Sequence, residues 1–102
     1  MALPLAGVRV VEIANYVAAP AAGALLADLG ADVVKVETPP RGEIYRRSRP
    51  RYGGYDCDFD ENPPFHMDNR GKRSIMLDLG RAEAREALLR MTDRAEIVIT
   101  NL

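Results

Sequence analysis

The chain has little of what several function classes require. It carries one cysteine, one histidine and a formal net charge of −1 across 102 residues. A lone Cys57 excludes an internal disulfide and fits a reducing compartment, so a cytoplasmic location is expected. A lone His66, with no second histidine or cysteine cluster, offers no ligand spacing, and no metal is expected. Balanced charge removes the global basic field that would point to nucleic acid. No apolar run approaches the roughly 20 residues of a membrane span, and the N-terminus lacks a basic region followed by a long apolar core. Neither a span nor a signal peptide is therefore expected. Convincing internal repeats and low-complexity tracts are also missing.

What remains is an ordinary globular composition, 47% apolar. The length allows one domain, burying roughly 60–70% of its unfolded surface.

The segment from Leu5 to Glu37, LAGVRVVEIANYVAAPAAGALLADLGADVVKVE, reads as strand, loop, helix, glycine stop, strand. Val8, Val10, Val11 and Ile13 form a nearly continuous β-branched run, which suits a strand of a parallel sheet buried on both faces. A helix is expected from about Pro20, where a missing N–H needs no partner. Ala22, Leu25, Leu26 and Leu29 recur at helical spacing and predict its apolar face. Gly30 follows as the residue able to take positive φ at the helix end. A second strand is expected over Asp32–Glu37. The order implies a right-handed βαβ crossover.

The pattern then repeats. Ser74–Leu79 predicts a third strand, Arg81–Ala95 a helix with a stripe of Ala84, Ala87, Leu88 and Met91, and Glu96–Thr100 a fourth strand. The predicted fold is α/β: a Rossmann-like parallel sheet built from two βαβ halves. Because the chain stops directly after a buried-type strand, residues 1–102 read as a partial domain, cut short at its C-terminus.

Residues 38–70 form a long connecting loop between the halves, a length that is usually functional or ordered by something else. Arg41, Arg46, Arg47, Arg49 and Arg51 come first, and a Tyr-Gly-Gly-Tyr stretch follows. Asp56, Asp58, Asp60 and Glu61 come next, then two prolines. The basic half could attract a phosphate or carboxylate; a solvated loop whose halves neutralise each other is the plainer reading. The Asp-x-Asp-x-Asp run is not an EF-hand, since Glu61 and Met67 stand where its sixth-position Gly and twelfth-position Glu belong.

Ligands of open α/β sheets sit beyond the carboxyl ends of the strands. Here those ends are Asn15–Ala19, Thr38, Leu79-Gly80 and Thr100–Leu102. Free N–H groups and the positive dipole end at the start of the first helix favour an anion at the first of these. The turn lacks the G-x-G-x-x-G of a NAD site. It has small residues instead, and Ala18 and Ala19 allow close backbone approach. Glu37 could mimic a ribose-binding acid. Lys72 and Arg73 precede the third strand, at its amino end, and are expected to be structural. Asp28 and Asp32 are expected to be solvated, while Asp78 lies at the ligand edge.

The series LAGVRVVE, AAP, LLADLGADVVKVE, GKRSIMLDL, a helix and EIVITNL resembles the start of the class III CoA-transferases, the CaiB/BaiF family. That family includes formyl-CoA and carnitine CoA-transferases and the 2-methylacyl-CoA racemases. The resemblance covers nearly the whole chain, least of all the Arg- and Asp-rich segment. It implies a protein several times longer, an interlocked homodimer, and transfer of CoA between an acyl-CoA and a carboxylic acid through an aspartyl-CoA thioester. The nucleophilic Asp, like the acid/base pair of the racemases, lies beyond residue 102, so no catalytic residue is expected in this chain and the fragment alone is expected to be inactive.

Carried over by position, the contacts to CoA or acyl-CoA fall at Val17, Ala18, Thr38, Leu77, Asp78, Leu79, Gly80, Asn101 and Leu102. Thr38 stands where the family often has Arg, and Arg41 is the expected substitute for pairing a phosphate. Gly80 stands where some members have Lys, and Thr100 where Glu is common. An acyl-CoA racemase of the same family and a non-catalytic or NAD-type nucleotide-binding module are the alternatives.

Overall fold

Four segments collapse into one sheet: β1 (Arg9–Ile13), β2 (Asp32–Glu37), β5 (Arg73–Met76) and β6 (Ile97–Thr100). In the computed structural model they are all parallel, in the order β5-β2-β1-β6. The structure describes residues 2–47, 51–52, 55–56 and 62–102, with the backbone alone at 51–52 and 55–56. Helix α1 (Ala18–Asp28) links β1 to β2, α2 (Pro63–Asn69) precedes β5, and α3 (Ala82–Asp93) links β5 to β6. Among these residues no helix is long and apolar enough to cross a membrane.

From β1 the chain steps to β2 and on to β5 in one direction. The α3 connection then reverses and places β6 on the other side of β1. Winding therefore changes direction between β1 and β6, the place at which open α/β sheets form a ligand crevice.

Parallel register assigns the faces. Val10 lies beside Val33 and Ile97, and Glu12 beside Lys35 and Ile99. This face meets α1, where Val10, Ala31 and Val33 form a buried cluster with Leu26 and Ala27 against it. Val11, Val34 and Val36 face the other way, towards α3. On α3 the expected stripe of Ala84, Ala87, Leu88 and Met91 is the half-buried side.

Helix α1 differs from its predicted face. Leu25 and Leu29 are exposed, as is Ala22, while Pro20, Gly23 and Ala24 are buried. Small residues face inward because a charged cluster on β1 and β2 fills the space beneath them. The helix end is as expected: Gly30 has φ +104°, its N–H donates to the Ala27 carbonyl (3.0 Å), and the Ala31 N–H donates to that of Leu26 (3.0 Å). This is a Schellman ending, which satisfies carbonyls that the helix cannot.

The segment expected as a connecting loop holds ordered elements. A 3-10 turn (Ile44–Arg47), two short antiparallel strands β3 (Arg51–Tyr52) and β4 (Tyr55–Asp56), and α2 lie in it. Arg49, Cys57, Asp58, Asp60 and Glu61 fall outside the described residues. The signal for α2 was Asn62 followed by two prolines, since Asn caps a helix and Pro suits its first turn. The buried Asn62 amide oxygen accepts the Phe65 N–H (3.2 Å), and its Nδ2 donates to the carbonyls of Tyr45 (2.8 Å) and Arg46 (3.1 Å). One side chain thus caps α2 and ties it to the 3-10 turn. Asn62→Ala is expected to cost about 1–3 kcal/mol, since it removes a cap and the part-buried hydrogen bonds to the Tyr45 and Arg46 carbonyls. A urea midpoint equal to wild type would contradict this.

Candidate functional site

The strand ends converge on a small cleft of about 70 Å³. Ile13, Ala14 and Asn15 line it from β1, Val36, Glu37 and Thr38 from β2, Leu77 and Leu79 from beyond β5, and Leu102 from beyond β6. The turn into α1 passes beside it. Val17 is the N-cap and offers no side-chain cap, so the first N–H groups of the helix are left for another acceptor. No acidic side chain lies in that first turn against the dipole's positive end.

Two side chains hold the β1–α1 turn in place. Asn101 makes a reciprocal pair with the Asn15 backbone: its Oδ1 accepts the Asn15 N–H (3.0 Å) and its Nδ2 donates to the Asn15 carbonyl (2.7 Å). From the β2 side, Glu43 Oε1 accepts the Tyr16 N–H (2.5 Å). Tyr16 has φ 67°, the one non-glycine residue with positive φ among the described residues.

Glu37 has its carboxylate engaged by protein donors. Its side chain is fully buried, and its carboxylate receives Arg46 Nε (3.0 Å) and NH2 (2.8 Å), the Glu43 N–H (3.0 Å) and the Ser74 hydroxyl. Burial pushes this carboxyl up, but the hydrogen bonds and the Arg46 charge outweigh burial and hold it at about 2. Gly42, at φ +83°, lies so close that a Cβ there would be 2.8 Å from Glu37 Oε1. The Arg46 guanidinium carbon also sits 4.3 Å from the Phe65 ring centre, a cation–π contact that joins the clamp to α2.

A second charged cluster lies under α1. Glu12 Oε2 accepts Lys35 Nζ (2.8 Å), which also donates to the Ala14 carbonyl (3.0 Å). Lys72 Nζ donates to the carbonyls of Pro20 (2.7 Å) and Asp68 (2.8 Å) and to Asn69 Oδ1 (2.8 Å). Those acceptors take all three of its protons. Its 2.7 Å approach to Glu12 Oε1 is accordingly charge attraction without a directed proton, and Oε1 has no hydrogen-bond partner. Burial lowers the Lys72 pKa, and the neighbouring Glu12 carboxylate opposes it. The cluster binds β1, β2, α1 and the end of α2 together. Lys72 is thus structural, and Arg73 pairs with Asp32 at the surface. Asp28 and Asp32, expected to be solvated, are about half exposed in ion pairs with Arg70 and Arg73.

A larger cavity, about 290 Å³, opens at the amino ends of the strands between Arg9, Asp32, Arg73, Met91 and Arg94. The C-terminal end of α3 faces it, so the helix dipole there disfavours the anion that the opposite edge favours.

The family model of CoA-transferase family III matches residues 5–102. This chain belongs to CoA-transferase family III. It is 42% identical over 99 residues to a succinate–glutarate CoA-transferase of Agrobacterium fabrum, covering 96% of this chain and 25% of that protein. To a succinyl-CoA:mesaconate CoA-transferase of Haloarcula hispanica it is 44% identical over 101 residues, covering 91% and 23%. A crystal structure of a CAIB/BAIF family protein from Brucella suis superposes with a TM-score of 0.82 at 40% identity, covering all of this chain and 26% of that one. The chain thus spans about a quarter of the length of the relatives it matches. All three carry the CoA-transferase or CAIB/BAIF name, and no racemase is among them.

Within this family III chain the residues expected at the site divide into two groups. Thr38, Leu77, Leu79 and Leu102 meet in the cleft. Val17 and Ala18 start α1 beside it, both exposed. Arg41, Asp78 and Gly80 are exposed but outside the lining. Asp78 Oδ1 accepts the Gly80 N–H (3.1 Å), which shapes the turn into α3. Asn101 lies at the edge, occupied with Asn15. Glu43, Arg46 and Asn101's bracing role were not anticipated. The signal for the first two was present as Gly42-Glu43 with Arg46 one helical turn on, after a strand ending in Glu37.

Proposed function

We propose that this chain is the N-terminal CoA-binding portion of a cytoplasmic CoA-transferase. The full protein moves CoA between an acyl-CoA and a carboxylic acid through an aspartyl-CoA thioester whose Asp lies outside these residues. It works as a homodimer, and this portion alone has no transferase activity. The observation that carries the reading is the N-terminus of α1, which has no capping side chain, beside the strand-end cleft in a chain of this family. A CoA phosphate placed there meets N–H donors and the positive end of the dipole. Val17, Ala18, Thr38, Leu77, Leu79, Asn101 and Leu102 border the nucleotide, and exposed Arg41, with Asp78 and Gly80, stands at the rim. A NAD-type module is disfavoured because Glu37, the only acid at the end of β2, is consumed by Arg46 and Ser74 and has no oxygen for a ribose.

Titration of the full-length protein with CoA and with NAD tests this. CoA is expected to bind and NAD not to bind. Ala18→Trp, which fills the approach to the helix N-terminus, is expected to weaken CoA by at least about tenfold, or ~1.4 kcal/mol. A preference for NAD, or unchanged CoA affinity in Ala18→Trp, would overturn the assignment.

A further inference from the structure

We propose that Glu43 is a positioning residue for the nucleotide edge: it holds the β1–α1 turn in the conformation that aims the first N–H groups of α1 at the ligand. The proposal rests on reading that edge as the CoA site.

The turn between β1 and α1 is short, and its residues are braced from two sides. Asn101 takes both backbone groups of Asn15. The next residue, Tyr16, sits at φ 67°, a region where a Cβ crowds the backbone and which a tyrosine does not choose by itself. Its N–H is taken by Glu43 Oε1 at 2.5 Å, a charge-assisted bond from a residue only 3% exposed. Glu43 is in turn fixed at both ends. Its N–H donates to Glu37 Oε1 (3.0 Å), and its Oε2 accepts the Arg46 N–H (3.3 Å). Glu37, buried on β2, holds Arg46 with two hydrogen bonds. A continuous set of polar contacts thus runs from the rigid end of β2 through Glu43 to the Tyr16 backbone. Val17, the N-cap of α1, is the next residue.

The Glu43 carboxylate reaches the β1–α1 turn through the Tyr16 N–H. Without its carboxylate the left-handed turn loses the bond that holds it, and the turn relaxes towards ordinary φ. The N-cap and the first helical N–H groups then rotate away from the cleft. The side chain needs an acceptor oxygen at this point more than a charge, so Gln, which keeps one, should preserve the turn.

The test uses the full-length enzyme. Wild type is titrated with CoA first, and failure to bind CoA would sink the functional reading and this inference with it. Given binding, Glu43→Ala is expected to raise the CoA Kd and the acyl-CoA KM by about tenfold or more, while kcat stays within about twofold, since the reacting Asp lies elsewhere. Glu43→Gln is expected to stay within about threefold of wild type in both. Amide hydrogen exchange should rise at residues 15–18 in Glu43→Ala and stay unchanged in β2. Equal affinity in wild type and Glu43→Ala would overturn the proposal, as would Glu43→Gln behaving like Glu43→Ala. If Glu43→Ala does not fold, Glu43→Gln decides alone: wild-type CoA affinity with unchanged exchange at residues 15–18 supports the proposal, and loss of either overturns it.

Discussion

Glu12→Ala is expected to be the most destabilising single truncation in the chain. Glu12 is fully buried, and it is the counter-charge for both Lys35 and Lys72, whose side chains are 2% exposed. Removing it leaves two ammonium groups in the interior with no carboxylate between them. Breaking one buried pair this way costs about 3–5 kcal/mol, a large share of the roughly 5–15 kcal/mol that holds a domain together. In urea the midpoint should fall by about 2 M at a slope of ~2 kcal/mol/M. Lys72→Met should also destabilise, because the carbonyls of Pro20 and Asp68 lose the donor they share. Gly23→Ala reaches the same cluster from the helix side. A Cβ at Gly23 would lie 2.1 Å from Glu12 Oε1 and 3.1 Å from Lys72 Cε. The carboxylate is held by its partners and cannot swing aside, so α1 must lift from the sheet, at about 1–3 kcal/mol. A Glu12→Ala midpoint within about 0.3 M of wild type would show that the cluster is energetically idle.

Acid should weaken the fold through Glu37. Its carboxyl is held at about 2 in the folded protein against an ordinary value of 4.5. A group depressed on folding stabilises fully above its unfolded pKa and loses that contribution as pH falls towards its folded pKa. The window is therefore pH 4.5 down to about 2. A depression of this size corresponds to roughly 3 kcal/mol at neutral pH. Unfolding free energy measured from pH 7 to pH 2.5 should drop steeply below pH 4.5 in wild type. Glu37→Gln cannot titrate there, so its curve should be flatter over the same window. It should also start lower at pH 7, because the Arg46 guanidinium loses its charged partner. Parallel curves for the two proteins would mean that other carboxyl groups carry the acid sensitivity.

Much of the fold was legible because it is local. β2 spans Asp32–Glu37 as expected, and β1 and β6 start one residue inside their predicted limits. Their β-branched runs encode burial on both faces, and Gly30 marks the helix end through its backbone freedom. The predicted third strand, Ser74–Leu79, is shorter and earlier, at Arg73–Met76. The chain turns at Leu77 to meet the cleft, and a pattern of alternating apolar residues does not register where pairing stops. Helix α2 was missed although Asn62 and two prolines marked its start, because seven residues are too few for a periodic stripe. The inward face of α1 was misassigned because apolar spacing favoured Leu25 and Leu29. What decided the face was the bulk beneath it: at Gly23 even a Cβ would come within 2.1 Å of Glu12 Oε1.

The sequence by itself determined the strand–helix alternation, the parallel sheet and which residues end at the carboxyl edge of that sheet. Those depend on side-chain periodicity, helix termini and the handedness of L-residues, all carried by neighbours along the chain. Tertiary structure alone decided what the acids do. Glu12 and Glu37 look alike in sequence, each the acid of an apolar strand. One closes a buried triad with lysines from β2 and the turn before β5, and the other anchors Arg46 and, through Glu43, the turn at the cleft. Their cationic partners lie 9 to 60 positions away (Arg46 from Glu37, Lys72 from Glu12) and are brought to them only when the chain folds.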